Sequence, residues 1–232
     1  MEIDFEKGKE CLGLLKGQND KLVERGVRIE KSIPEGCLLF IGMNPSFKDG
    51  EPIPGNKDYE STYQWDNPEK KNHPYYKKCK EIANDIKLPF GHHDLFPIRE
   101  TSQKVIEGMF NIEKDGPIVP KENYKDFINK SLLWSEQSII SCDPRAIVVI
   151  NAFASRIFFD CRVSGKSLLG FVPEKRWCEE LGVDFVRIND KMVPLLFSGM
   201  LSGRRALDNH SERRLLWHIR HILRHQELWP KF

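Results

Sequence analysis

The chain has 232 residues, 40% of them hydrophobic and 30% charged, an ordinary globular composition that excludes disordered and miniprotein classes. Thirty-six Lys and Arg stand against 34 Asp and Glu, so bulk charge does not announce a nucleic-acid binder. No stretch approaches the ~20 uncharged apolar residues that cross a bilayer, and residues 1–4 lack the basic and apolar features of a signal peptide, so a cytoplasmic chain with no membrane partner is expected.

Residues 5–26 carry Cys11, Leu14, Leu15 and Val23 at helical spacing, and residues 1–32 are expected to form an N-terminal helical extension. The continuous apolar run 37–41, set between Pro34-Glu35-Gly36 and Gly42, reads as a strand buried on both faces. Residues 42–72 are rich in Gly, Pro, Asn and Asp; a loop of that length is more often functional than idle. Tyr76, Cys79, Ile82, Ala83 and Ile86 predict a helix over 73–86, and 88–98 reads as a strand with its outgoing loop. A second strong helix pattern covers 121–141, followed by a buried strand at 145–150 and a helix starting at 151–155. Residues 185–188 read as an edge strand, 193–197 as a last short strand, and 209–226 as a basic amphipathic helix with Leu215, Leu216, Ile219, Ile222 and Leu223 on its apolar face.

Short apolar strands alternating with longer helices imply an α/β fold, a three-layer αβα arrangement around a central, mostly parallel four-stranded sheet. With no repeat, low-complexity tract or linker, residues 1–232 are read as a single domain and a monomer. The six cysteines are scattered without a CxxC pair, which fits buried thiols in a reducing compartment and leads us to expect no metal and no cofactor.

Ligands of open parallel sheets bind outside the carboxyl ends of the strands, where three polar segments fall. In the first, 42–47, the Asn44 carboxamide can hold a water without being a strong base, or can cap a turn through its own backbone. In the second, 92–99, His92, His93 and Asp94 stand together. Adjacent histidines on a strand point to opposite faces, which disfavours one shared metal, and Asp94 could equally pair with Arg99. In the third, 199–205, Ser202 and Gly203 offer close backbone approach to a phosphate and Arg204 and Arg205 can grip it; the alternative is a solvated loop before a helix. Residues 198–225 hold six arginines, two acids and four of the seven histidines, and the start of the last helix adds a modest pull on anions. Phe47, Tyr59, Tyr63 and Trp65 could stack on a planar base or anchor the loop.

The order of these segments, and Leu39-Phe40-Ile41-Gly42-Met43-Asn44-Pro45-Ser46 in particular, resembles the uracil-DNA glycosylase superfamily in its single-strand-selective and mismatch-specific branches, with Ser46 in place of the usual Gly. The resemblance spans about 38–223. It implies a uracil-DNA glycosylase-like fold and a DNA repair hydrolase that cleaves the N-glycosidic bond of a damaged or deaminated base in single- or double-stranded DNA. It places Asn44 and Asp94 as catalytic residues, and Met43, Phe47, Tyr63 and His93 at the base, with Tyr63 and Trp65 competing with Phe47 to stack on it. His93 or Asp94 falls where the family offers an Asn to the base edge, and an Asp there favours an edge presenting donors. Ser202, Gly203, Arg204 and Arg205 take the phosphate. Met200-Leu201 stands where many members carry a His or Asn that helps the departing base, so the alternative is a non-catalytic nucleic-acid or nucleotide-binding protein that keeps the fold.

Overall fold

The computed structural model describes residues 2–47, 59–61, 74–113, 116–160, 162–163, 166–167, 176–202 and 206–231. In chain order the elements are α1 (Phe5–Gly13), α2 (Asp20–Arg25), β1 (Arg28–Glu30), β2 (Leu38–Gly42), β3 (Tyr59–Ser61), α3 (Pro74–Asp85), β4 (Phe90–Asp94), α4 (Gln103–Glu107), β5 (Phe110–Ile112) and β6 (Ile118–Pro120). They continue with α5 (Lys125–Cys142), β7 (Ala146–Ile150), α6 (Ala152–Asp160), β8 (Arg162–Val163), β9 (Lys166–Ser167), β10 (Arg176–Cys178), β11 (Val183–Ile188), β12 (Lys191–Ser198) and α7 (Asn209–Arg224).

The central sheet is mixed and six-stranded, in the order β10-β11-β12-β7-β2-β4. β4, β2, β7 and β12 run parallel, whereas β11 joins β12, and β10 joins β11, antiparallel. The expected four-stranded sheet is therefore too small. The segment expected at an edge, β11, lies inside, because the short strand Arg176–Cys178 covers it. Its three residues carry no apolar alternation from which pairing could be read.

Alternation along the strands divides the interior. Leu39 and Ile41 of β2, with Ile147 and Val149 of β7, pack among Cys11 of α1, Leu132 and Ile139 of α5, and Ile157 of α6. Leu38, Phe40, Val148 and Phe185 pack on the other face among Cys79 and Ile82 of α3 and Leu215, Ile219 and Ile222 of α7. Helices thus cover both faces, which is why β2 and β7 read as unbroken apolar runs: every residue of each is buried. The first 32 residues add Leu12, Leu15, Leu22 and Ile29 to the first of these cores. Their helical pattern is divided by a turn in which Asn19 caps α2 through its side chain, and the chain then enters β1, paired in parallel with β3. The helix-spaced residues of 73–86 and 121–141 form α3 and α5, the latter ending at Asp143 in a left-handed conformation just before Pro144.

Glycine sets the spacing at one edge. A Cβ built on Gly91 of β4 would overlap Cys37 Sγ and stand 3.0 Å from Ile33 Cγ2, both in the fully buried interior. Gly91→Ala is expected to destabilise the protein by about 1–3 kcal/mol through overpacking. Urea unfolding of Gly91→Ala, Cys37→Ala and the double variant measures this, and the double variant should recover a large part of the loss, since the sulfur is then gone.

Candidate functional site

The carboxyl ends of the four parallel strands open on a cleft of about 380 Å³, inside the size range of small-molecule sites. β2 brings Gly42 and the following Met43, Asn44, Pro45 and Ser46; β4 brings His92 and Asp94; β7 brings Ile150 and then Asn151; the chain after β12 brings Met200 and Ser202. Arg28 of β1, Tyr75 and Tyr76 of α3, and Glu100, Thr101 and Gln103 complete the wall.

Asn44 is fixed by its own amide group. Its Nδ2 donates to the carbonyls of Glu100 at 2.7 Å and Pro45 at 3.0 Å, with Ile98 O at 3.4 Å, so it clamps the loop after β2 to the loop after β4. Its Oδ1 accepts nothing from the described residues. The backbone-capping alternative describes the NH2 group, which serves the carbonyls, while the oxygen meets no donor among the described residues.

Asp94 lies opposite Gly42 in the β2–β4 register, and a Cβ on Gly42 would overlap its Oδ1. Glycine is required there because the carboxyl group occupies the volume a side chain would fill. The Asp94 side chain is 13% exposed and makes no hydrogen bond with the described residues. His92 Nε2 stands 3.9 Å from it and is hydrogen-bonded to the Tyr75 hydroxyl at 3.0 Å, while Nδ1 faces Glu30 Oε1 at 3.8 Å. Two carboxyls thus flank one imidazole. Burial pushes Asp94 up to about 6, with Glu30 adding to the rise and His92 and Arg28 opposing it. Burial also pushes Glu30 up to about 8 against the pull of Arg28, and lowers His92. At neutral pH the cluster therefore holds an ionised Asp94 beside a neutral imidazole and a protonated Glu30.

The structure sorts the expected site residues. Asn44, Asp94, Met43 and Ser202 line the cleft. His93 does not: it projects to the opposite face of β4, hydrogen-bonds Ser135 Oγ at 3.0 Å and packs on the Trp134 ring, and burial depresses it to about 3. The period-two alternation of a strand put His92, not His93, on the face shared with Asp94. Phe47 is also outside the cleft, its ring held between the guanidinium groups of Arg25 and Arg99 at 4.7 and 5.0 Å. Arg99 packs on that ring and donates to Arg25 O rather than pairing with Asp94. Thr101 ties down the Phe47 backbone, so Phe47 anchors its loop. Tyr63, Trp65, Gly203, Arg204 and Arg205 lie outside the described residues. The anion pull expected at the last helix start is already answered by Asp208, whose carboxylate accepts from the His210 and Ser211 amides at 2.8 and 2.9 Å.

Sequence reasoning passed over Tyr75, Tyr76 and Asn151. The two tyrosine rings meet edge to face at 4.9 Å and each meets His92 at about 5 Å, so aromatic surface reaches the cleft from α3. Asn151, at φ 120°, caps α6 through Oδ1 and donates to Gln103 at 3.0 Å. A carboxamide at the exit of a second central strand repeats the placement of Asn44 and was the available signal.

Glu30 titration gives a stability test. Its folded-state value lies above the ordinary 4.5, so the stabilisation carried by its proton is complete below about 4.5 and is lost as pH rises through about 8. Glu30→Gln should remove that decline, so that its stability relative to the parent grows on the order of 2 kcal/mol from pH 5 to pH 8 in chemical denaturation.

No family model, curated protein or solved structure matches the chain.

Proposed function

We propose that the chain is a uracil-DNA glycosylase-like enzyme that hydrolyses the N-glycosidic bond of a damaged base taken out of the DNA stack. The observation that carries this reading is the state of Asn44: a carboxamide at the carboxyl end of a central strand, its nitrogen committed to backbone carbonyls and its oxygen left to accept from a water at the cleft. Three features support it. The parallel strands stand in the order second, first, third, fourth along the chain, which brings the three polar segments to one edge. The cleft has room for a nucleobase beside Tyr75 and Tyr76. On α7, Arg213, Arg214 and Arg224 are exposed together with Trp217, which is 62% exposed, and offer charge to a phosphate backbone.

In this reading Asn44 Oδ1 aligns the water that adds to the sugar carbon; the base leaves with the electron pair of the broken bond and takes up, through solvent, the proton that the water loses. Asp94 holds the base edge. The acceleration comes from positioning and electrostatics rather than from a strong base.

One observation favours a second reading. Leu201 is 1% exposed and packs in the core, and Met200 lines the cleft, so the described part of the loop after β12 brings no imidazole or carboxamide to the leaving base. A protein that keeps the fold and binds nucleic acid without cleaving it would have this loop.

Oligonucleotides carrying uracil, hypoxanthine, xanthine and alkylated bases, assayed for alkali-labile sites, separate the two. The glycosylase reading expects abasic product from at least one of them, and a drop of roughly 10²-fold or more in Asn44→Ala with DNA affinity retained. Thermal unfolding of Asn44→Ala reports separately on the loop clamp it also removes. Salt-sensitive binding without product from any of them, or release unchanged in Asn44→Ala, contradicts that reading.

A further inference from the structure

The Asp94 carboxyl has no hydrogen-bond donor among the described residues, and the His92 ring stands 3.9 Å from it. The carboxyl lines the cleft and is 13% exposed. Its oxygens at the cleft are therefore open to the donors of a ligand. An ionised carboxylate can only accept, through two coplanar oxygens. Its neighbours leave those oxygens open: the residue across the ladder is Gly42, the nearest imidazole nitrogen is 3.9 Å away, and that nitrogen is engaged by the Tyr75 hydroxyl.

We propose that the base selected by this cleft presents two adjacent N–H donors, the 2-amino-lactam edge of a guanine-type base, to the paired oxygens of Asp94. The inference rests on the reading of the cleft as a nucleobase site and adds the class of base to it. An edge that flanks a single N–H with two carbonyls, as in uracil, would set a carbonyl oxygen against a carboxylate oxygen. A lactam lacking the amino group, as in hypoxanthine, fills one of the two acceptor positions and leaves the other empty. The guanine-type edge fills both, the same bidentate logic by which side chains read base edges. Tyr75 and Tyr76 supply flat apolar surface to the same cleft, which Asn44 also lines.

Calorimetric titration of the full chain with guanosine, inosine and uridine reads this selectivity without requiring catalysis, since guanosine and inosine differ by one amino group. Guanosine is expected to bind roughly tenfold or more tightly than inosine. Asp94→Asn, which replaces one acceptor oxygen with a donor, should bring the ratio close to one and improve uridine relative to guanosine. The ratio in the unsubstituted protein stands as a test even if Asp94→Asn does not fold. Equal binding of guanosine and inosine, or a guanosine preference unchanged in Asp94→Asn, overturns this inference while leaving the cleft as a nucleobase site. Failure of all three nucleosides and of a single-stranded oligonucleotide to bind overturns both.

Discussion

The close approach of a carboxyl group to a bare backbone at the end of two paired strands organises the cleft. Asp94 can lie over β2 because its register partner is Gly42, and any larger residue there would displace the carboxyl oxygen. The same two strands set the loops around the site: the amide nitrogens of Leu95 and Phe96 donate to the carbonyls of Gly42 and Met43 at 3.1 and 2.9 Å, so the β2–β4 pairing continues past both strand ends. Asn44 then closes the two loops on each other. The position of the carboxamide relative to the carboxyl is thereby a property of the sheet.

What lies behind the cleft is electrostatically costly. Glu30, His92 and Asp94 lie together in a buried cluster, and Glu30 Oε2 is buried without a hydrogen-bond partner among the described residues. The protein meets that cost by keeping most of the cluster neutral: Glu30 retains its proton and His92 loses its own at neutral pH. Perturbed groups often mark functional sites, and these three meet at the carboxyl ends of the parallel strands, where a ligand of an open parallel sheet would sit. Arg28 lines the cleft beside them, and two further arginines are used structurally. Arg25 pairs with Glu100, and Arg25 and Arg99 enclose the Phe47 ring.

Much of the fold was legible because burial on both faces leaves a simple mark. The runs 37–41 and 146–150 have no polar residue to interrupt them, and 73–86 and 121–141 carry apolar residues at helical spacing. The antiparallel extension was not legible: β10 has three residues with Arg176 and Trp177 exposed, and only pairing with β11 gives it meaning. Nor was the hairpin of β5 and β6, whose outward residues include exposed Ile112 and Val119. At the site, Gly-Met-Asn-Pro at a strand exit pointed to Asn44, and strand position pointed to Asp94. The choice between His92 and His93 needed the side of the sheet, which the register with Phe40 supplies. Phe47 was misplaced because two arginines distant in sequence converge on its ring, and Tyr75 and Tyr76 read simply as the first turn of an amphipathic helix.

On the proposed reading a nucleobase enters between Asn44 and Asp94. Backbone amide NMR during titration with a short single-stranded oligonucleotide locates the contact. The largest shift changes are then expected on Gly42, Met43, Asn44, Asp94 and Asn151. Changes confined to the outer face of α7 around Trp217, with the amides at the strand ends unmoved by saturating oligonucleotide, would contradict that reading.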